Sequence, residues 1–347
     1  MRIIKKILII RFSSIGDIVL TSLLLRVLRA AYADARIDFL IKSEYAELIR
    51  FNPHISTILE LQSSGFKELA AVKRKIQAER YDLLLDLHNS LRSRQIRFLS
   101  GARLIRVVNK RAIARFMLVN FKKNYYRGVV PVAQRYLETI RSLHLRDDER
   151  GLEIFVPNET LLRTQSSLAR IKADQFRTVI GIVPGARHAT KRWLPERFVE
   201  VGTQMAKVEN AKILLFGGKE EADYCGDIVQ MINVNCISNA AESFAGKLSL
   251  LETAAMFDHC RVVVANDTGL MHLAAARKRS VVALFGSTVK EFGFVPFGIP
   301  HTIIERQSLA CRPCSAIGSA SCPLGHFHCM KEIQVDEVVA AAQQFLH

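Results

Sequence analysis

No apolar stretch in the 347 residues approaches the roughly 20 that a membrane-spanning helix needs. The opening MRIIKKILII starts like a signal peptide, but Arg11 cuts the apolar run 7–10. That run is shorter than an h-region of roughly 7–15 residues, so a cytoplasmic location is expected. The first glycine turn lacks the G-x-G-x-x-G fingerprint, which counts against a dehydrogenase. Low-complexity segments and short-period repeats are missing, and tryptophan occurs once, at Trp193. Acidic residues are scarce, 33 Asp/Glu against 49 Lys/Arg, which leaves a net charge of +16 and a pI near 9.7. What remains is ordinary: 49% hydrophobic and 24% charged residues exclude disorder as the main state. The length suits two domains of roughly 150 residues each.

The positive charge is uneven. Residues 73–127 carry 15 Lys/Arg against 3 Asp/Glu, a local net of +12. Such a surface implies an anionic partner: nucleic acid, acidic lipid headgroups or a phosphorylated substrate. The bland alternative is a solvated face, but solubility requires no such concentration. Four of the seven cysteines, Cys311, Cys314, Cys322 and Cys329, fall within nineteen residues. In a chain without an export signal they do not read as a disulfide framework. They suffice for tetrahedral zinc, but their spacings match no common zinc module. Reduced, partly buried thiols are the expectation, and no metal is assigned.

Periodicity predicts an α/β protein. Strands are expected at 7–11, 37–41, 55–61 and 83–87, with helices at 18–31, 44–51 and 66–79 between them. The pattern restarts with strands at 178–183, 212–216, 261–265 and 281–285, and helices at 197–207, 221–231 and 268–276. This rhythm predicts two Rossmann-like, doubly wound domains facing each other across a cleft. The first domain is expected over 1–157 and the second over 178–332, with the cysteine-rich tail 311–329. The charged, irregular stretch 146–172 is the linker candidate, and the linker region is set at 158–177. A final helix within 333–347 is expected to return to the first domain. Ligands of open α/β sheets bind beyond the carboxyl ends of strands, and every motif below sits at such an end.

The first motif is Arg11-Phe12-Ser13-Ser14-Ile15-Gly16-Asp17. Gly16 permits a tight strand-to-helix turn, and Ser13 and Ser14 can cap the helix or bind an oxyanion. Asp17 is either a helix-dipole carboxylate or a general base. The second runs from Pro184-Gly185 through His188, Thr190 and Lys191 to Trp193, a cationic loop able to hold a diphosphate. The third is Asn266-Asp267-Thr268-Gly269-Leu270-Met271-His272, where a helix start offers N–H groups to phosphate. His272 lies one turn in, near the face of Thr268; such a histidine is commonly a satisfied core residue. In the fourth, Gly217-Gly218-Lys219-Glu220-Glu221, an acid past a strand end can accept bonds from ribose hydroxyls.

Taken in order, these motifs resemble the ADP-heptose:lipopolysaccharide heptosyltransferases, glycosyltransferase family 9, which have the GT-B fold. The resemblance spans nearly the whole chain. It rests on 13–17, on Thr190-Lys191-Arg192-Trp193-Leu194-Pro195-Glu196, and most diagnostically on Asp267-Thr268-Gly269-Leu270-Met271-His272. It implies an inverting displacement with Asp17 as base and Lys191, preceded by Thr190, on the donor diphosphate. Asp267, Thr268, Gly269 and His272 would form the donor loop. Glu221, or Glu220 if the alignment slips by one, would bind ribose. It further implies transfer of heptose from ADP-L-glycero-D-manno-heptose to the phosphorylated inner core on lipid A, at the cytoplasmic face of the inner membrane. That acceptor suits the basic segment, with Ser13, Ser14, Gly16, Arg92 and Arg94 as phosphate-binding candidates. No cofactor is demanded, since protein cations can stabilise the leaving diphosphate. A monomer is expected.

Two rival readings remain at this level. A two-domain sugar-nucleotide epimerase would share the fold but have no use for the basic segment. A nucleic-acid-binding protein would use that segment, yet aromatic residues there are few and no binding motif accompanies them.

Overall fold

The computed structural model describes residues 4–62, 65–236 and 239–346. Among them the strands form two wholly parallel sheets. The first sheet contains β1 (Lys6–Ile10), β2 (Arg36–Lys42), β3 (Thr57–Leu61), β4 (Leu83–Asp86) and β5 (Leu104–Val107), in the order β3-β2-β1-β4-β5. The second contains β6 (Thr178–Val183), β7 (Ala211–Leu215), β8 (Ala241–Ser243), β9 (Val262–Asn266), β10 (Ser280–Phe285) and β11 (His301–Glu305), in the order β11-β10-β9-β6-β7-β8. The central strands are continuous apolar runs because helices cover both faces. Ile7 to Ile10 in β1 and Val262 to Ala265 in β9 are completely buried.

Strand order reverses once in each sheet, between β1 and β4 in the first and between β6 and β9 in the second. At such a switch point the flanking loops diverge and leave a crevice beyond the strand ends. The loop after β1 is the 11–17 motif, and the loops after β6 and β9 are the second and third motifs.

The chain divides into two compact units, 1–112 with 131–155 and 113–130 with 156–347. In the first core, Leu8, Ile10, Leu40, Leu84 and Tyr81 pack with Ile96. In the second, Ile180, Ile182, Trp193, Phe198, Ile213 and Val264 pack with residues of the C-terminal helix.

Several expectations are corrected. The helix expected over 18–31 is two, Ile15–Val19 and Ser22–Ala31, joined by a tight turn in which the Thr21 N–H and hydroxyl both bond to the Ile18 carbonyl (3.0 and 2.6 Å). Residues 44–51 supply a 3₁₀ helix, Ser43–Ile49. The short strands β5, β8 and β11 were not expected. Much of the proposed linker is a regular helix, Asn158–Arg170, packed on the helix Leu250–Phe257. Its stripe at Leu161, Thr164 and Leu168 has helical spacing, with a threonine at a core position. The final helix, Val335–Gln343, belongs to the second unit. It buries Val335, Val338, Ala341 and Ala342 in the second core. Residues 113–130 likewise belong to the second unit: Leu118 is buried with Val289 and Phe292.

Candidate active site

In the first unit, four donors converge on the Asp17 carboxylate in the turn beyond β1. The Ser14 N–H and hydroxyl donate to Oδ2 (3.3 and 3.0 Å), and the Tyr136 hydroxyl lies 3.4 Å from Oδ1. The Arg11 Nη2 pairs with Oδ1 at 2.6 Å. Arg11 is itself fixed, donating through Nε to the Ser13 carbonyl (2.8 Å) and through Nη1 to the Leu87 carbonyl (2.6 Å). Leu87 immediately follows β4, so the guanidinium spans the switch point. Side-chain exposure is 15% for Asp17 and 9% for Arg11. Burial alone would raise the Asp17 carboxyl's pKa. The Arg11 charge and the Ser14 hydrogen bonds outweigh it, and the carboxyl lies below its ordinary range.

At the end of β4 the buried Asp86 accepts from the N–H groups of His88 and Asn89 (3.0 and 2.6 Å) and pairs with Arg97 at 3.0 Å. The His88 ring packs on Phe12, centroids 4.7 Å apart. Burial and the positive charges of Arg11 and Lys110 push its pKa down to about 3, so His88 is neutral at physiological pH. Of the phosphate-binding candidates, Ser14 is drawn to Asp17, Ser13 contributes its carbonyl to Arg11, and Gly16 is buried in the helical turn. Arg92 and Arg94 are exposed on the helix Leu91–Arg97. Arg92 is near enough to influence the His88 ring. Among the described residues no ion pair joins Arg94 to the Asp17 cluster.

In the second unit the second and third motifs meet. Asn266, the last residue of β9, donates to the Pro184 carbonyl (2.7 Å) and accepts from the Trp193 N–H (3.2 Å). Lys191 Nζ lies 2.7 Å from Asp267 Oδ2, which also accepts the Thr288 hydroxyl at 2.7 Å. Thr268 precedes the helix Gly269–Ala276, whose first-turn N–H groups have no intrahelical acceptor. The fourth motif joins them through Glu221, whose Oε2 accepts the Gly218 N–H at 2.8 Å. A Cβ on Gly185 would fall 1.8 Å from Glu221 Oε1, so the carboxylate occupies the place of a side chain there. Glu220 is exposed.

Two of the expected donor-loop residues, Thr190 and His272, are buried. The Thr190 hydroxyl is buried and fully used: it donates to the Ser319 carbonyl (3.2 Å) and accepts from the Ser319 N–H (2.8 Å) and Ser287 Oγ (3.0 Å). These bonds pin the loop to Ser287 and Ser319. His272 is buried inside the unit, its ring 6.3 Å from that of Phe294. Among the described residues no group of three or more His, Cys, Asp or Glu side chains is arranged to hold a metal ion. The seven cysteines are free thiols, with Cys329 buried and Cys311, Cys314 and Cys322 half-buried.

Sequence reasoning gave no role to Arg11, His88, Tyr136, Ser287 or Thr288. Arg11 had a local signal, a lone cation ending an apolar strand. Tyr136 lies 119 residues from Asp17 and had none.

Comparison with known proteins identifies the family. The model of glycosyltransferase family 9 (heptosyltransferase) matches residues 69–323. Lipooligosaccharide heptosyltransferase 2 of Campylobacter jejuni is 25% identical over 340 residues, covering 96% of this chain and 95% of that protein. A glycosyl transferase family 9 structure from Veillonella parvula superposes with a TM-score of 0.81 at 21% identity, covering 100% of this chain and 98% of the other. The structure of Escherichia coli ADP-heptose lps heptosyltransferase II gives a TM-score of 0.70 at 22% identity over 98% of both chains. These likenesses give the chain the α/β GT-B fold. The chain is a glycosyltransferase and belongs to family 9, the heptosyltransferases.

Proposed function

We propose that this enzyme transfers heptose from ADP-L-glycero-D-manno-heptose onto the phosphorylated inner core of lipopolysaccharide, with inversion at the anomeric carbon. The observation that carries the chemistry is the Asp17 carboxylate, aimed and kept ionised by Arg11 and Ser14. An ionised carboxylate can take the proton of an acceptor hydroxyl at neutral pH without first losing one of its own. The hydroxyl oxygen then bonds to the anomeric carbon as the bond from that carbon to the diphosphate breaks and ADP leaves. Lys191 and the first turn of the helix Gly269–Ala276 stabilise the charge growing on the diphosphate. Asp267 and Thr288 hold Lys191 before the donor arrives, Thr190 fixes the loop, and Glu221 receives ribose hydroxyls. Arg92 and Arg94 contact acceptor phosphates. The names of the C. jejuni and E. coli relatives support the heptose donor and the glycolipid acceptor.

Because the acceptor is anchored by lipid A, the enzyme works as a monomer on the cytoplasmic face of the inner membrane. Among the described residues no helix is long and apolar enough to cross a bilayer, so this placement needs surface binding.

Thermal shift against ADP, UDP, GDP and their sugars tests the donor. A ligand at 100 times its Kd stabilises the fold by about 2.7 kcal/mol. ADP compounds are expected to shift the midpoint and UDP compounds are not; the reverse would overturn the named donor. Transfer of heptose to inner-core acceptor, followed by mass spectrometry, tests the reaction itself.

A further inference from the structure

Residues 113–130, IARFMLVNFKKNYYRGVV, contain no Asp or Glu and carry Arg115, Lys122, Lys123 and Arg127. The segment comprises the helix Ala112–Phe121 and the loop after it, and it has two faces. On the inner face Leu118 is buried with Val289 and Phe292, and the Tyr126 ring lies 6.3 Å from that of Phe292. Lys122 Nζ ties the end of the helix to the Val119 and Pro313 carbonyls (2.8 and 2.7 Å). On the outer face Ile113, Phe116, Phe121 and Tyr125 are 81, 57, 58 and 61% exposed. Phe116 and Phe121 make an edge-to-face pair, centroids 5.9 Å apart, at the surface. None of the four cations forms an ion pair among the described residues.

We infer that this outer face is the surface by which the enzyme sits on an anionic phospholipid bilayer. Large apolar and aromatic side chains beside the exposed cations Lys123 and Arg127 fit the boundary between acyl chains and acidic headgroups. A second copy of the chain fits poorly, since pairing these faces would bring the exposed Lys123 and Arg127 of both copies together. The Leu118 and Tyr126 anchors hold the face in place before it meets lipid, so binding requires no folding step. The assignment rests on the lipid-linked acceptor proposed above, and it names the part of the protein that meets the membrane.

Vesicle co-sedimentation tests it, using phosphatidylcholine with and without phosphatidylglycerol. Wild-type enzyme is expected to bind the anionic vesicles, with roughly fivefold weaker affinity for each cation screened by salt or neutralised. Phe116→Ser/Phe121→Ser is expected to weaken binding on the order of tenfold or more. Its kcat/KM on a soluble, deacylated acceptor should match wild type, and its rate on vesicle-embedded acceptor should fall. A second variant, Phe121→Trp, keeps the apolar bulk; the native Trp193 is buried, so the introduced indole reports on this face. Acyl-chain-brominated lipid should quench it. Absent wild-type binding, unchanged binding by the double serine variant, an unquenched indole, or a dimer formed through this face without lipid would each overturn the assignment. Failure of the wild-type enzyme to transfer heptose even to soluble acceptor, with Phe121→Trp still quenched, would instead overturn the reading of the reaction.

Discussion

Replacing Arg11 with methionine probes the pair on which the chemistry depends. The substitution keeps most of the apolar stem and removes three interactions: the 2.6 Å pair with Asp17 and the bonds to the Ser13 and Leu87 carbonyls. Removing one partner of a buried ion pair costs about 3–5 kcal/mol, because the other charge is left uncompensated. Asp17 keeps its Ser14 hydrogen bonds and some solvent, so the lower end, about 3 kcal/mol, is expected here. For a domain of this size that corresponds to a Tm lower by roughly 6–12 °C. The pH dependence supplies the sign. The wild-type carboxyl is depressed, so its stabilisation is complete above the ordinary carboxylate pKa and is lost as pH falls through the folded value. Without Arg11, burial acts against the charge with only the Ser14 and Tyr136 hydrogen bonds to oppose it, and the folded pKa rises. The deficit of Arg11→Met should therefore be largest near neutrality and shrink towards pH 4. The acid limb of its rate profile should move upward. Adding Asp17→Asn to Arg11→Met should recover part of the stability, since neither charge then remains. Differential scanning calorimetry at pH 4 and 7, with kcat/KM against pH, decides the matter. An equal deficit at both pH values, or an unmoved acid limb, would refute the reasoning.

Asp17→Asn alone should lower kcat by about 10²–10⁴, with donor affinity by calorimetry unchanged. Lys191→Met should lower kcat by about 10²–10³ through loss of leaving-group stabilisation, read by single-turnover kinetics. Gly185→Ala should leave Tm nearly unchanged, because the clash is with the end of a flexible side chain. Its displacement of Glu221 should weaken ADP binding about 10- to 100-fold, the value of a hydrogen bond or two to a charged group. In an NMR titration between pH 5 and 8, the His88 ring should stay silent, since its pKa lies near 3.

The sheets and their motifs were legible because their signals are local. The runs in β1, β6 and β9 each end in a turn whose residues announce a site. The fine geometry was less accessible. That Thr190 is spent on Ser319 and Ser287 depends on residues 97 and 129 positions away. The helix Asn158–Arg170 escaped notice because one of its core positions is a threonine. The short strands β5, β8 and β11 are edge elements whose apolar runs are too brief to stand out.

The membership of 113–130 in the second unit has a consequence for the chain's architecture. The backbone passes between units three times, after 112, 130 and 155, so neither unit is a contiguous piece of sequence. A fragment ending at 155 would carry Leu118 and Tyr126 stripped of Val289 and Phe292, with apolar surface exposed. During synthesis, residues 113–130 wait for partners more than 160 residues downstream. Dissection of this enzyme into halves therefore calls for a graft, with 113–130 replaced by a short polar bridge in the first half and supplied to the second.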